Sequence, residues 1–132
     1  DRTVRNPNML VWHKRLWLID HGASLYFHHR WDNVATQAES PFTRIKDHVL
    51  LPFMTNDALD VADAEFRPLL SEALFASIVA AVPDEWLAAD PTFDSPDAYR
   101  EAYVTYFRRR LAAADRFAEE AKRARTGVVD SI

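Results

Sequence analysis

The chain has 132 residues, 48% of them apolar and 27% charged, and a formal net charge of −4. That length suits one domain with its own hydrophobic core, and the balance is that of a folded protein and not of a disordered tail. The mild acidity leaves no basic footprint for direct nucleic-acid binding, and the absence of cysteine removes disulfides, thiolate metal sites and cysteine nucleophiles. Two glycines, Gly22 and Gly127, are too few for a glycine-rich phosphate loop, so any nucleotide must be cradled by another segment. No apolar run approaches the roughly 20 residues that span a bilayer, and there is no signal-peptide pattern. The expectation is a soluble, cytoplasmic protein with no membrane partner.

Residues 1–8, DRTVRNPN, have the composition of a loop, with two asparagines around Pro7. MLVW (9–12) and LWLID (16–20) follow as two short runs of β-formers separated by His13, Lys14 and Arg15. They predict a hairpin with a three-residue loop, in which Trp12 opposes Leu16, Leu10 opposes Leu18 and Asn8 opposes Asp20. One face would carry Leu10, Trp12, Leu16 and Leu18, the other Met9, Val11, Trp17 and Ile19. Both faces are apolar, so both call for a cover. An aromatic stretch, SLYFHHRW, leads into a polar linker over 32–40. Pro41 is expected to open a short helical segment to Leu51, which Pro52 closes. After a polar stretch over 56–63, Leu70, Leu74, Ile78 and Val82 recur every four residues and predict a core-facing helix over 68–82. Residues 83–87, PDEWL, predict a helical turn with Trp86 as a local anchor. Ser95-Pro96 reads as an N-cap with proline at the first helical position, opening a long helix over 96–124 whose apolar face is Tyr99, Tyr103, Tyr106, Leu111 and Phe117. Gly127 is its expected end.

The predicted architecture is mainly α, a short β-hairpin followed by a helical bundle, as one domain over 1–132. Within it, 1–31 form the chemistry-bearing loop and hairpin and 41–126 the helical part.

Three residues in the first segment carry chemistry. Asp1 and Asn6 form a D-x-x-x-x-N spacing, and after the hairpin comes Asp20-His21-Gly22, an Asp-x-Gly. This is the layout of a protein-kinase active site. Phosphoryl transfer needs a carboxylate that orients and accepts the proton of the attacking hydroxyl, the position of Asp1. It also needs hard oxygen ligands for Mg²⁺, the positions of Asn6 and Asp20. The hairpin carries both ligands to its open end. Arg2 and Arg5, beside Asp1, could pair with phosphate or with the base. The competing reading of the same residues is an Asx-rich turn with a strand-end cap.

DRTVRNPNMLVWHKRLWLIDHG with the following ASLYFHH resembles the catalytic and metal-binding segment of the HipA-like protein kinases. HVLLPF (48–53), VPDEWL (82–87) and AYREAYVTYFRRRL (98–111) are similar to the helical C-terminal part of one bacterial branch. The resemblance implies a kinase-like fold of which this chain is the C-terminal lobe, beginning at the catalytic aspartate. It implies transfer of phosphate from ATP, with Mg²⁺, to serine or threonine of a protein substrate. Asp1 then matches the proton acceptor, Asn6 and Asp20 the metal ligands. The partner it calls for is an N-terminal lobe supplying the glycine-rich loop, the ATP lysine and the hinge, without which the isolated chain is expected to be inactive. One departure is Asp20-His21-Gly22 where eukaryotic kinases carry Asp-Phe-Gly.

The alternative from another functional class is a helical protein-interaction module, or a pseudokinase remnant without catalysis. His13, His21, His28 and His29 fit no zinc spacing and read as surface or hydrogen-bonded residues. Trp12, Trp17 and Trp31 are expected in the core, and Arg108 to Arg110 on the solvent face of their helix. An uncovered hairpin face would favour self-association.

Overall fold

The computed structural model describes residues 2–25 and 30–127, with the helical backbone continuing through 129. The fold is mainly α. An antiparallel hairpin of β1 (Met9–Trp12) and β2 (Arg15–Leu18) precedes, among the described residues, six α-helices: α1 (Val34–Ala38), α2 (Asn56–Phe66), α3 (Glu72–Ala80), α4 (Asp84–Leu87), α5 (Pro96–Ala112) and α6 (Ala114–Val129).

The hairpin turns through two residues, not three. His13 and Lys14 both take positive φ, 49° and 59°, the left-handed pair of a type I′ turn whose twist matches that of the strands. Arg15 therefore joins β2, and the register becomes Met9 opposite Leu18, Leu10 opposite Trp17, Val11 opposite Leu16 and Trp12 opposite Arg15. A shift of one residue exchanges the faces. One side carries Met9, Val11, Leu16 and Leu18, the other Leu10, Trp12, Arg15 and Trp17. Both are open, with Val11 73%, Trp12 59% and Leu16 55% exposed. Trp12 and Trp17 thus lie outside the core and lean on each other, ring centroids 5.9 Å apart.

The stretch expected as a polar linker is folded. A 3₁₀ turn over Trp31–Asn33 runs into α1, and Ala38 at its end has no exposed surface. The segment from Pro41 to Leu51 forms no α-helix. Phe42 takes a left-handed φ of 57°, and two 3₁₀ turns follow, Thr43–Asp47 and Leu51–Phe53. Pro52 sits inside the second turn, where its missing N–H is tolerated. The polar stretch from Asn56 is also helical: it is α2, whose first turn is capped by the Thr55 hydroxyl accepting from the Ala58 N–H at 3.1 Å.

The predicted helix over 68–82 starts later, because Ser71 caps the Leu74 N–H at 3.1 Å and the residues before it form a separate 3₁₀ turn, Arg67–Leu69. Its buried face is Phe75 and Val79, one position on from the predicted stripe. Leu74 and Ile78 are left 38% and 56% exposed. Phe75 stacks on Phe107 of α5 at 5.2 Å, which sets the rotation of α3. In α4 the buried residue is Leu87, and Trp86 is exposed instead of anchoring the turn.

Ser95 caps α5 as expected, accepting from the Ala98 N–H at 3.1 Å with Pro96 in the first turn. The long helix is two, broken at Ala113, and both Ala113 and Ala114 are buried at the break. Gly127 lies within α6 at negative φ and ends nothing.

The centre is aromatic. Trp31 meets Phe93, Tyr99 and Tyr103 edge-on at 4.9, 5.2 and 5.1 Å, and the rings of Tyr99 and Tyr103 stack at 5.3 Å. Burial, helped by the Tyr103 hydroxyl, holds the Tyr99 phenol well above its ordinary range.

The rotation of α3 is open to a direct check. Phe75→Ala should destabilise the fold by about 3 kcal/mol, since it removes a buried ring and leaves a cavity, whereas Ile78→Ala on the exposed side should cost under about 1 kcal/mol. Urea unfolding of the two variants measures this, and the reverse order would restore the predicted stripe.

Candidate functional site

The loop before β1 is short and polar, so its backbone groups must find partners among themselves and in neighbouring segments. The Thr3 N–H donates to the Asn6 carbonyl at 3.1 Å, and the Asn6 N–H donates back to the Thr3 carbonyl at the same distance. A second tie reaches far along the chain. Thr3 bridges His48 in antiparallel fashion, and the Val49 N–H donates to the Arg2 carbonyl at 2.8 Å. The loop is thereby fixed between the hairpin and the 43–50 segment.

Arg2 fastens the other side. Its guanidinium donates to the Asn8 carbonyl at 3.0 Å and to the Ile19 carbonyl at 3.3 Å, and lies 3.3 Å from His21 Nδ1. Asn8 and Ile19 face each other at the open end of the hairpin, where the Ile19 N–H donates to the Asn8 carbonyl at 2.9 Å. One side chain thus joins the loop containing Asn6 to the Asp20-His21-Gly22 segment. The strand register puts Ile19, and not Asp20, opposite Asn8. Asp20 follows directly, in a left-handed conformation at φ 50°.

Asn6 and Asp20 therefore both sit at the open end of the hairpin, just outside its last hydrogen-bonded pair. Both are exposed, and neither side chain is engaged in a hydrogen bond or ion pair with a described residue. Carboxamide and carboxylate oxygens are hard donors of the kind Mg²⁺ takes, but among the described residues no group of three or more His, Asp or Glu side chains is placed to hold a metal ion. Arg5 is exposed and likewise makes no such contact. Asp1, His28 and His29 lie outside the described residues.

Behind the loop lies a cavity of about 570 Å³ whose lining includes Arg2, Ser40, Thr43, Arg44, His48 and Arg110. A smaller hollow of about 260 Å³ shares Arg2, Arg44 and His48 with it and adds Asn6 and Asp47. Arg110 departs from the expected solvent face. It turns inward from α5, donates to the Ala38 and Ser40 carbonyls at 3.2 and 2.5 Å, and lies 4.2 Å over the ring of Phe117. Burial lowers its pKa from the ordinary guanidinium value, yet an arginine stays charged at neutral pH. Burial likewise lowers the pKa of His48, and the positive charge of Arg2 acts in the same direction. The Leu50 N–H donates to His48 Nδ1 at 3.2 Å, which leaves the proton of the neutral ring on Nε2.

Arg44, Asp47 and His48 were not singled out by sequence reasoning, and Arg110 was expected only on the solvent face of its helix. They come from two segments some 60 residues apart, and no short spacing marks them. The clue available was the density of polar and basic residues around Pro41, set beside a basic run inside a helix.

No protein-family model, curated protein or solved structure matches the chain.

The pKa of His48 reports this geometry. Because it is lowered in the folded state, the neutral ring stabilises the fold, and that contribution is complete above the ordinary value of 6.5 and lost as pH falls below it. An NMR titration should find His48 protonating below pH 6.5, and Arg2→Ala should move it back up. A midpoint that ignores the substitution would separate the two side chains.

Proposed function

We propose that the chain is the C-terminal lobe of a HipA-like serine/threonine protein kinase, with Asp1 accepting the proton of the attacking hydroxyl and Asn6 and Asp20 holding Mg²⁺. The observation that carries the reading is the fastening by Arg2. The residue next to the proposed base reaches across to the Asp-x-Gly segment, so that loop and metal-ligand segment form one unit, as positioning catalysis requires. A Mg²⁺ ion held by Asn6 and Asp20 would neutralise the charge of the ATP phosphates. The protein's own part is to fix the carboxylate and carboxamide donors at the end of the hairpin and to orient the acceptor hydroxyl. The hairpin supports the same reading. Both of its faces present large apolar side chains, and a second lobe that holds ATP would cover them.

The expected outcome in a radiolabelled-ATP transfer assay is no transfer by the 132-residue chain and transfer by a longer version carrying the preceding lobe. In the longer protein, Asp1→Ala and Asp20→Ala should each lower the rate by about 100-fold or more. Activity in the short chain would overturn the dependence on the second lobe. Undiminished activity after either substitution would remove that residue from the machinery and favour a helical interaction module.

A further inference from the structure

The larger cavity carries an inference that does not depend on phosphoryl transfer. Most arginines elsewhere among the described residues pair with acids, Arg5, Arg15 and Arg125 excepted: Arg67 with Asp63 and Asp115, Arg100 with Asp84 and Asp97, Arg109 and Arg116 with Glu39, Arg123 with Glu120. The chain has an excess of acids, 20 against 16 basic residues, so partners are not scarce. Around the cavity the pattern reverses. Arg2 and Arg110 donate only to backbone carbonyls and to a histidine ring. Arg44 makes no hydrogen bond or ion pair with any described residue. None of the described residues lining the cavity carries a carboxylate. Three arginines thus line one hollow with no carboxylate among its described lining residues, the nearest one named being Asp47 in the adjoining hollow, and an anion would relieve their repulsion and desolvation.

The rest of the wall suits the same ligand. The Ser40 hydroxyl accepts from the Phe42 N–H at 3.2 Å, which leaves its proton to donate elsewhere, and the Thr43 hydroxyl adds a second donor to the lining. The turn carrying them is built on Phe42 at φ 57°, a conformation that a bulky side chain adopts only under constraint and that clusters at ligand sites. Guanidinium forks match phosphate oxygens bidentately, and several cations together suit a dianion better than a single carboxylate. At about 570 Å³ the hollow exceeds a bare phosphate and has room for an organic group attached to it.

We propose that this cavity is a phosphate site, taking inorganic phosphate or a phosphomonoester among Arg2, Arg44 and Arg110. Isothermal titration calorimetry of the 132-residue chain at constant ionic strength tests it with sodium phosphate, O-phosphoserine and acetate. Saturable one-to-one binding of phosphate is expected, with acetate at least about tenfold weaker. Tighter binding of O-phosphoserine than of phosphate assigns the site to a phosphorylated side chain, and equal binding assigns it to the free ion. Arg44→Gln should weaken phosphate about tenfold or more while the melting temperature without ligand stays unchanged. Arg15→Gln, in the hairpin, should leave binding as it is. The proposal is overturned by absence of saturable phosphate binding, by equal affinity for acetate, or by an Arg44→Gln chain that binds as tightly as the original.

Discussion

The aromatic face of α5 is what the rest of the chain is built against. Tyr99, Tyr103, Tyr106 and Phe107 spread around enough of that helix to receive α1 and Trp31 on one side and α3, through Phe75, on the other. The helices around it are short, between 4 and 11 residues up to α4, and helices of that length do not hold together alone in water. Their stability comes from packing. Caps at Thr55, Ser71 and Ser95 fix where three of the helices begin, and contact with α5 fixes which face of α1 and α3 turns inward.

A continuous physical route joins this core to the loop that bears Asn6. It leaves α5 at Arg110, whose guanidinium takes up the carbonyls that end α1 and the turn after it. From there it passes through the left-handed Phe42 into the 3₁₀ turn of Thr43–Asp47, then from His48 and Val49 to Thr3 and Arg2. Arg2 completes it at the mouth of the hairpin. The polar residues of the front loop are exposed and would wander if they were attached only to their neighbours in sequence. They are held because backbone hydrogen bonds and one arginine tie them to the helical part.

The hairpin stands apart from that logic. Its two strands pair well with each other, yet neither face finds a cover among the described residues, and a two-stranded ribbon alone is marginal in water. The turn of His13 and Lys14 and the clasp of Arg2 at the other end keep it in register. The result is an apolar ribbon left open on both faces among the described residues.

Much of the element order was legible in the amino-acid sequence, because it rests on local chemistry. Two short runs of β-formers on either side of a polar turn announced a hairpin, and Ser95-Pro96 announced the start of α5 to the residue. The spacing of Asn6 and Asp20 on either side of the hairpin placed both residues at its open end, and the pairing of Asn8 with Ile19 carries them there. Other features were decided only in three dimensions. The choice of a two-residue turn exchanged the faces of the hairpin, since both faces were equally apolar and the pattern held no preference between them. The rotation of α3 was set by the stacking of Phe75 on Phe107, against a periodic stripe that pointed one residue away. α1 and α2 were hidden in polar composition because each buries little of its surface. The arginine-lined cavity was invisible for a simpler reason. Arg2, Arg44 and Arg110 are brought together by the fold and share no spacing, and the lack of a carboxylate among the described residues lining their hollow is a property of their surroundings, not of their order in the chain.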